Sequence, residues 1–338
     1  MDPLNDLFFE EAYGKLYERM EHGVCEEFVF QSAYGEIRHL FIKREIPMMV
    51  HGERWYDAIT PYGYGGPRIM RCATGCHSDL VSAFEHAFRE YCKDQRIVSE
   101  FVRFHPIFDN ARDFSNCYDV TFQRETVGTT LDGFDDPVAS EFSKSARKTL
   151  RRSLNAGVTC RITVAPSDLS RFKEIYYETM NRVHADSYYF FDDGYFDSCL
   201  LKFADKIVLA EAIYEGQVIA AELHFLYDGI LHTHLSGTIH DFHQLSPIYV
   251  LQYGAVRWGK ENGVKLIHAG GGRTNDEEDP LYKFKKKFGQ YTGFRFYTGR
   301  KIWNAEIYEE LCKKSRANAA ESFFPAYRAN ASKQLSSV

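Results

Sequence analysis

Residues Leu266–Gly289 read LIHAGGGRTNDEEDPLYKFKKKFG: a β-like run ends in three glycines, a polar acidic loop follows, and a lysine cluster sits between phenylalanines. Gly270, Gly271 and Gly272 let the backbone approach a ligand closely. Lys283, Lys285, Lys286 and Lys287 offer positive charge to a phosphate or to an oxyanion. The stretch is neither a GxGxxG opening a helix nor a Walker loop, because no GK[ST] follows the glycines, so nucleotide hydrolysis and dinucleotide binding lose support. A strand-exit loop beside a solvated lysine face accounts for the same letters about as well.

Upstream of this stretch, the spacing predicts a helix over Pro247–Asn262 and a strand over Ile230–Gly237, so strand, helix and strand (Leu266–Ala269) follow one another. Before them the pattern predicts strands Val158–Val164, Ile207–Tyr214 and Gln217–Tyr227, and helices Ser167–His184 and Tyr195–Phe203. The first half alternates similarly. It has a helix to about Glu21, strand-like runs at Glu27–Gln31, Ile37–Lys43 and Met48–Met49, a helix over Ser78–Lys93, and strands Ile97–Phe104 and Asp119–Arg124. The loop DGFDDP then precedes a charged helix over Pro137–Asn155, closed by Gly157. Interleaved strands and helices predict a mixed α/β (α+β) fold. At roughly 150 residues per domain, 338 residues predict two. The expected division is 1–140 and 141–316, with the tail 317–338, partly helical, packing back on the first. No internal sequence repeat is evident, and a duplicated fold is inferred only from the similar succession of elements.

Lys+Arg 41 against Asp+Glu 47 gives a net charge of −6, so no global basic field draws the chain to nucleic acid or anionic lipid, and any polyanion must be met by a local patch. The N-terminus is acidic and amphipathic, without the pattern of a signal peptide, and no apolar run reaches about 18 residues. The eight cysteines show no disulfide framework and no CxxC zinc spacing, as expected of thiols in a reducing cytoplasm. A cytoplasmic protein is the expectation.

Two further segments carry candidate chemistry. TPYGYGGP, Thr60–Pro67, has glycines for tight geometry while Tyr62 and Tyr64 offer stacking faces and hydroxyls; an aromatic turn packed on its own domain fits as well. Lys144, Arg147, Lys148, Arg151 and Arg152 fall at i, i+3, i+4, i+7 and i+8 and form one cationic stripe, fit for phosphates of RNA, a nucleotide or a lipid headgroup, or for water alone. His232 and His234 would share a strand face, yet neither they nor Cys72, Cys76 and His77 have a recognised ligand spacing, so no metal is expected. No GxSxG or HExxH occurs, which leaves serine-hydrolase and zincin chemistry without support.

Taken in order, YGYGGP, SEFVRFHP (Ser99–Pro106), SKSARKTLRRSLNAGV (Ser143–Val158), SPIYVLQYGAVRWGKENG (Ser246–Gly263), then GGG and LYKFKKKFG (Leu281–Gly289), resemble the Fem-type family of FemAB and FemX aminoacyltransferases and the related BioF2-like acyltransferases. The resemblance spans about Tyr62 to Gly289. It implies two tandem GNAT-like acyltransferase domains, each a mixed central sheet flanked by helices. It also implies acyl transfer to an amine, with aminoacyl-tRNA as donor and a peptidoglycan-precursor-like peptide as acceptor, or with an acyl-CoA as donor in relatives. No tightly bound cofactor is implied. Residue by residue, Phe284 matches the family's aromatic that stacks on the donor's terminal nucleotide, and Lys285 the lysine that stabilises the tetrahedral oxyanion. Donor contacts are then expected from Gly270, Gly271, Gly272, Lys283, Arg147 and Arg151, and acceptor contacts from Tyr62, Tyr64, Arg103 and Tyr249. A tRNA acceptor end is the expected macromolecular partner, DNA is not, and contact with a membrane surface stays open. For the general base, Tyr249, Asp276 and Glu277 are open alternatives. The chain departs from the peptidoglycan-building members at Arg103–Pro106, which reads RFHP where many carry an acid before the proline, and it has no long coiled-coil arm. A non-catalytic binding protein of the same fold is the alternative from another class.

Overall fold

The structure, a computed structural model, describes residues 5–317 and 323–329. Two compact units emerge: one from the residues up to Gln123 together with those from Arg295 onward, the other Arg124–Phe294. The division expected at 140/141 therefore falls earlier, and the residues from Arg295 to 316 join the first unit rather than the second. The reason is a strand and a helix, Gly293–Ile302 and Ala305–Ser315, that the sequence pattern did not reveal.

The first unit opens with α1 (Glu11–Leu16), α2 (Glu18–Glu21), β1 (Gly23–Ser32), β2 (Gly35–Glu45), β3 (Tyr56–Ile59), β4 (Arg68–Cys72), α3 (His77–Asp94), β5 (Ile97–Arg103), α4 (Asn110–Asp113) and the start of β6 (Asp119–Thr130). Met48–Met49 is not a strand. The chain turns there through a Val50–Glu53 bridge before β3. β1 and β2 form a hairpin in full antiparallel register from Gly23↔Arg44 to Ser32↔Gly35. β3 and β5 run parallel, joined through α3. Helix α3 buries Leu80, Val81, Phe84, Phe88 and Cys92 at helical spacing, and Phe84 and Phe88 stack at 5.7 Å over a core that includes Ile37, Phe41 and Phe104. A buried carboxylate ties this core together: Glu100 accepts from Tyr118 Oη at 3.1 Å and Trp303 Nε1 at 3.2 Å and pairs closely with His39.

The second unit continues with α5 (Pro137–Glu141), α6 (Lys144–Asn155), β7 (Thr159–Val164), α7 (Ser170–Arg182), α8 (Asp193–Phe203), β8 (Ile207–Tyr214), β9 (Gln217–Tyr227), β10 (Ile230–Thr238), α9 (Pro247–Glu261), β11 (Leu266–Gly270) and α10 (Pro280–Lys286). The single helix expected over Pro137–Asn155 is two, because Ser143 stops one and caps the next by accepting from Ala146 N at 3.1 Å. The strand order is β6-β11-β10-β9-β8-β7, antiparallel except for β10 and β11, which are parallel and joined by α9. Helix α9 starts at Pro247 and buries Val250, Leu251, Ala255 and Val256 against Leu150, Ala220, Leu231 and Ile267.

The chain then returns to the first unit through β12 (Gly293–Ile302) and α11 (Ala305–Ser315). β12 pairs with β5 from Thr298↔Arg103 to Ile302↔Ser99. Of the tail, residues 323–329 pack on this unit: Tyr327 is buried, and its hydroxyl lies 2.8 Å from Ser99 Oγ and donates to Asp57 at 3.1 Å. The rest of 317–338, beyond Ala317, lies outside the described residues. The protein is thus mixed α/β, and among the described residues each unit holds a parallel strand pair closed by a helical crossover, β3-α3-β5 and β10-α9-β11.

Candidate functional site

The parallel ladder between β10 and β11 joins Ile230, Leu231 and His232 to Leu266, Ile267 and His268. Just beyond it the register of β10 shifts between Thr233 and Leu235, and that of β11 between His268 and Gly270. Such bulges re-aim side chains and end pairing, and open α/β sheets take ligands at the carboxyl ends of parallel strands.

The loop that leaves β11 there is folded by one carboxylate. Asp279 Oδ2 accepts from Arg273 N at 3.0 Å, Thr274 N at 2.9 Å and Thr274 Oγ1 at 3.1 Å, while Oδ1 accepts from Leu281 N and Tyr282 N, both at 2.9 Å. The same group therefore closes the GGGRTND loop and caps α10, whose first residue is Pro280. These donors, the Tyr282 amide foremost, hold the Asp279 carboxyl well below the usual carboxylate range. Gly272 has no room for a side chain, since a Cβ would lie 2.6 Å from Asp279 Oδ1.

Helix α10 carries Lys285 onto this loop, where its ammonium donates to Gly271 O at 2.8 Å. Arg124 Nη1 donates to Gly272 O at 2.6 Å and holds the next carbonyl. Burial pulls the Lys285 ammonium from its ordinary 10.5 to about 8, against the attraction of Glu222 and Asp279 and with the help of Arg124. Among the described residues Gly271 is its one hydrogen-bond partner, so two of its three N–H donors are uncommitted.

Glu222, on β9, is the electrostatic counterpart. It is 3% exposed, and Gln252 of α9 donates from Nε2 to Oε1 at 3.1 Å and to Oε2 at 2.8 Å. Burial raises its carboxyl from 4.5 to about 7, while Gln252 and Lys285 hold it down. His224, two residues along the same strand face, is fully buried with Nε2 3.7 Å from Glu222 Oε2. Burial pushes it down to about 3, so it is neutral at physiological pH. The sequence pattern singled out none of Glu222, His224 and Gln252. The available signal was an acid inside the run IAAELHFL, where a buried strand otherwise admits apolar residues.

The other expected residues divide clearly. Phe284 and Tyr249 meet edge to face at 5.7 Å, and Phe284 also meets Phe288 at 5.3 Å, so both rings pack against the second unit's core beside Lys285. Gly270, Gly271 and Gly272 form the loop base. Lys283 turns to solvent and pairs with Glu278, away from Gly271. Arg147 folds back on α5, donating to Ala139 O at 2.7 Å and Phe142 O at 2.6 Å, while Arg151 is exposed on α6. Asp276 accepts from Glu278 N at 2.8 Å, and Glu277 is exposed.

In the first unit, the Thr60–Pro67 loop is bound to β5 and to the amino-terminal aromatics. Arg103 donates from Nη1 to Thr60 O and from its amide to Thr60 Oγ1, both at 3.0 Å. Tyr62 O accepts from Tyr13 Oη at 2.9 Å, and the Tyr64 ring meets Phe8 at 5.2 Å, Phe296 at 5.4 Å and His105 at 5.7 Å. A cavity of about 720 Å³ in this unit, lined by Arg89, Tyr118, Arg300, Lys301, Tyr308 and Phe324, has neither Lys285 nor Glu222 in its lining. Its Arg89 and Lys301 are already bound to Glu85.

Residues 140–286, which hold this loop and Lys285, match the acetyltransferase (GNAT) domain family. No curated protein matches the chain. The fold is similar to that of FemX, with a TM-score of 0.69 at 13% identity over 91% of this chain and 95% of that one. It is also similar to the C-terminal domain of a candidate lysylphosphatidylglycerol synthetase from Agrobacterium fabrum (TM-score 0.54, 12% identity, 91% and 92% covered). L-PGS from Bacillus licheniformis is a third (TM-score 0.52, 13% identity, 86% and 92% covered). Residues 140–286 are thus a GNAT-type acyltransferase domain, and the chain as a whole shares the fold of FemX.

Proposed function

We propose that this protein transfers an aminoacyl group from aminoacyl-tRNA to the amine of a peptide or cell-wall-precursor-like acceptor. The observation that carries the reading is Lys285, a partly buried ammonium held by Gly271 O at the carboxyl end of the parallel strand pair with donors to spare. The acceptor amine attacks the ester carbonyl carbon, a C–N bond forms, and the carbonyl electron pair moves onto oxygen, where Lys285 donates a hydrogen bond in a site poor in water. Collapse re-forms the carbonyl and breaks the C–O bond, and the proton lost by the amine ends on the leaving hydroxyl. Glu222 is a positioning residue: its carboxylate raises the Lys285 pKa and favours the charged form that the oxyanion requires. The similarity to FemX and to the L-PGS fold supports the aminoacyl donor.

The match of residues 140–286 to an acetyltransferase domain favours a second reading, the same chemistry with an acyl-CoA donor. The two separate in one assay in which the full chain is given a uridine-diphosphate muropeptide with either aminoacyl-RNA or acetyl-CoA, and product is read by mass. Product from the RNA donor alone, lost in Lys285→Ala, supports the first reading. Product from acetyl-CoA alone replaces it with the second, and turnover retained by Lys285→Ala removes the lysine role.

A further inference from the structure

Helix α6, KSARKTLRRSLN, contains no acid, and its inner face, Ala146, Leu150 and Ser153, is buried. Its outer face presents Lys144, Lys148, Arg151 and Arg152, all exposed. Among the described residues none of these four has an ion-pair or hydrogen-bond partner for its side chain. Several other cations of the same unit are paired, Arg171 with Glu174, Lys173 with Asp193, Arg257 with Glu261 and Lys283 with Glu278, whereas on α6 four unpaired cations share one helix face. Arg147, the fifth member of the stripe, is the exception on α6, because it caps α5.

The strip starts beside the lysine site. Ser143, which caps α6, donates its amide to Lys287 O at 2.8 Å, and Phe142 packs edge to face on Phe288 at 5.2 Å, so α6 is stitched to the end of the helix that carries Lys285. From Lys144 to Arg152 the axial rise is about 12 Å, longer than one pyrophosphate. An anionic membrane fits poorly, because a surface-lying helix needs exposed apolar side chains beside its cations. Here the apolar side is spent on the core, and Leu154 is the one large apolar residue of α6 left exposed.

We propose that the outer face of α6 is a docking strip for the phosphate backbone of an RNA, Lys144, Lys148, Arg151 and Arg152 holding the body of the donor while its acylated end reaches Lys285. The proposal rests on the aminoacyl-tRNA reading and adds the surface that would hold the RNA. Phosphate contacts of this kind give affinity without sequence preference and are recognised by their salt dependence.

The test is fluorescence anisotropy of the full chain with a labelled RNA hairpin bearing a single-stranded 3′ tail, over a salt series, beside sedimentation with phosphatidylglycerol vesicles. Lys148→Ala/Arg151→Ala/Arg152→Ala should bind the hairpin at least about tenfold more weakly and lower the salt slope by about one per lost contact. Arg171→Ala should bind as the wild type does, and the melting temperature of each variant reports on its folding. Unchanged affinity and slope in the triple variant, or binding of the wild type to vesicles but not to the hairpin, overturns the strip. The donor reading is judged separately: transfer from acetyl-CoA alone overturns it, whereas an unchanged slope removes the strip even if aminoacyl-RNA proves to be the donor.

Discussion

The two glycine-rich loops, Thr60–Pro67 in the first unit and Gly270–Asp276 in the second, look alike in composition and are held by different forces. The first is clamped by rings and by backbone bonds to β5: Tyr64 lies among Phe8, His105 and Phe296, and Thr60 answers Arg103. The second is clamped by one carboxylate, Asp279, through five hydrogen bonds. Packing of rings spreads its stabilisation over many weak contacts, so such a loop yields gradually. A loop that hangs on one charged acceptor fails at once, and it orients its carbonyls well enough for Gly271 to hold an ammonium. The proposed chemistry belongs to the second kind.

Substitutions separate the two loops, and the largest effect is expected at the lysine. Lys285→Met should lower kcat/KM by about 10²–10³, the usual value of one oxyanion donor. The same variant should melt higher than the wild type at pH 6, because a group whose folded pKa is depressed to about 8 opposes folding while it stays charged. A drop in melting temperature would count against a desolvated ammonium. Next comes the clamp: Asp279→Ala leaves the Arg273, Thr274, Leu281 and Tyr282 amides without their acceptor and should reduce turnover by about tenfold or more. Gly272→Ala, which drives a methyl to 2.6 Å from the Asp279 carboxylate, should follow it in direction. Tyr64→Ala, by contrast, should cost about 2–4 kcal/mol of stability, read by chemical denaturation, with a smaller loss of turnover than Asp279→Ala. Equal losses of turnover in both loops would dissolve the distinction.

The smallest effect is a shift of pH dependence. Lys285 must be charged, so kcat/KM should fall as pH rises through about 8. Glu222→Gln removes a charge that raises the Lys285 pKa, and the alkaline limb should move to lower pH; an unmoved limb would show that Glu222 does not act through the lysine. The stability sign is opposite to the common one for an acid. The Glu222 folded pKa is raised to about 7, so its contribution is full below the ordinary 4.5 and declines as pH rises through 7. Glu222→Gln should therefore gain on the wild type in thermal melts at pH 8 and not at pH 4.

Much of the framework was legible because it is written in local periodicity. The strand–helix–strand around α9 follows the pattern of apolar residues, as do α3 and the β8–β10 meander. Helix α10 was hidden because seven residues make too short a pattern, and DP at its start, read as loop, is an N-cap followed by proline. β12 and α11 were missed, and with them the return of the chain to the first unit, since pairing with β5 is a non-local event. Of the site, Lys285, Phe284 and the glycines were visible as a motif, whereas Glu222, Gln252 and Asp279 were not, because their roles depend on partners distant along the chain or on a turn's geometry.

The amino-acid sequence by itself determined the class of elements, the placing of glycines and lysines on one loop and one short helix, and the cationic face of α6, all of which follow from residue spacing of 2 or about 3.6. Tertiary structure alone decided which of those cations remain unpaired and which lysine is desolvated. It also decided that a buried carboxylate on β9 answers that lysine. Spacing fixes only the direction in which a side chain leaves its own element, while its charge state depends on the dielectric and the charges that other elements bring within a few ångströms.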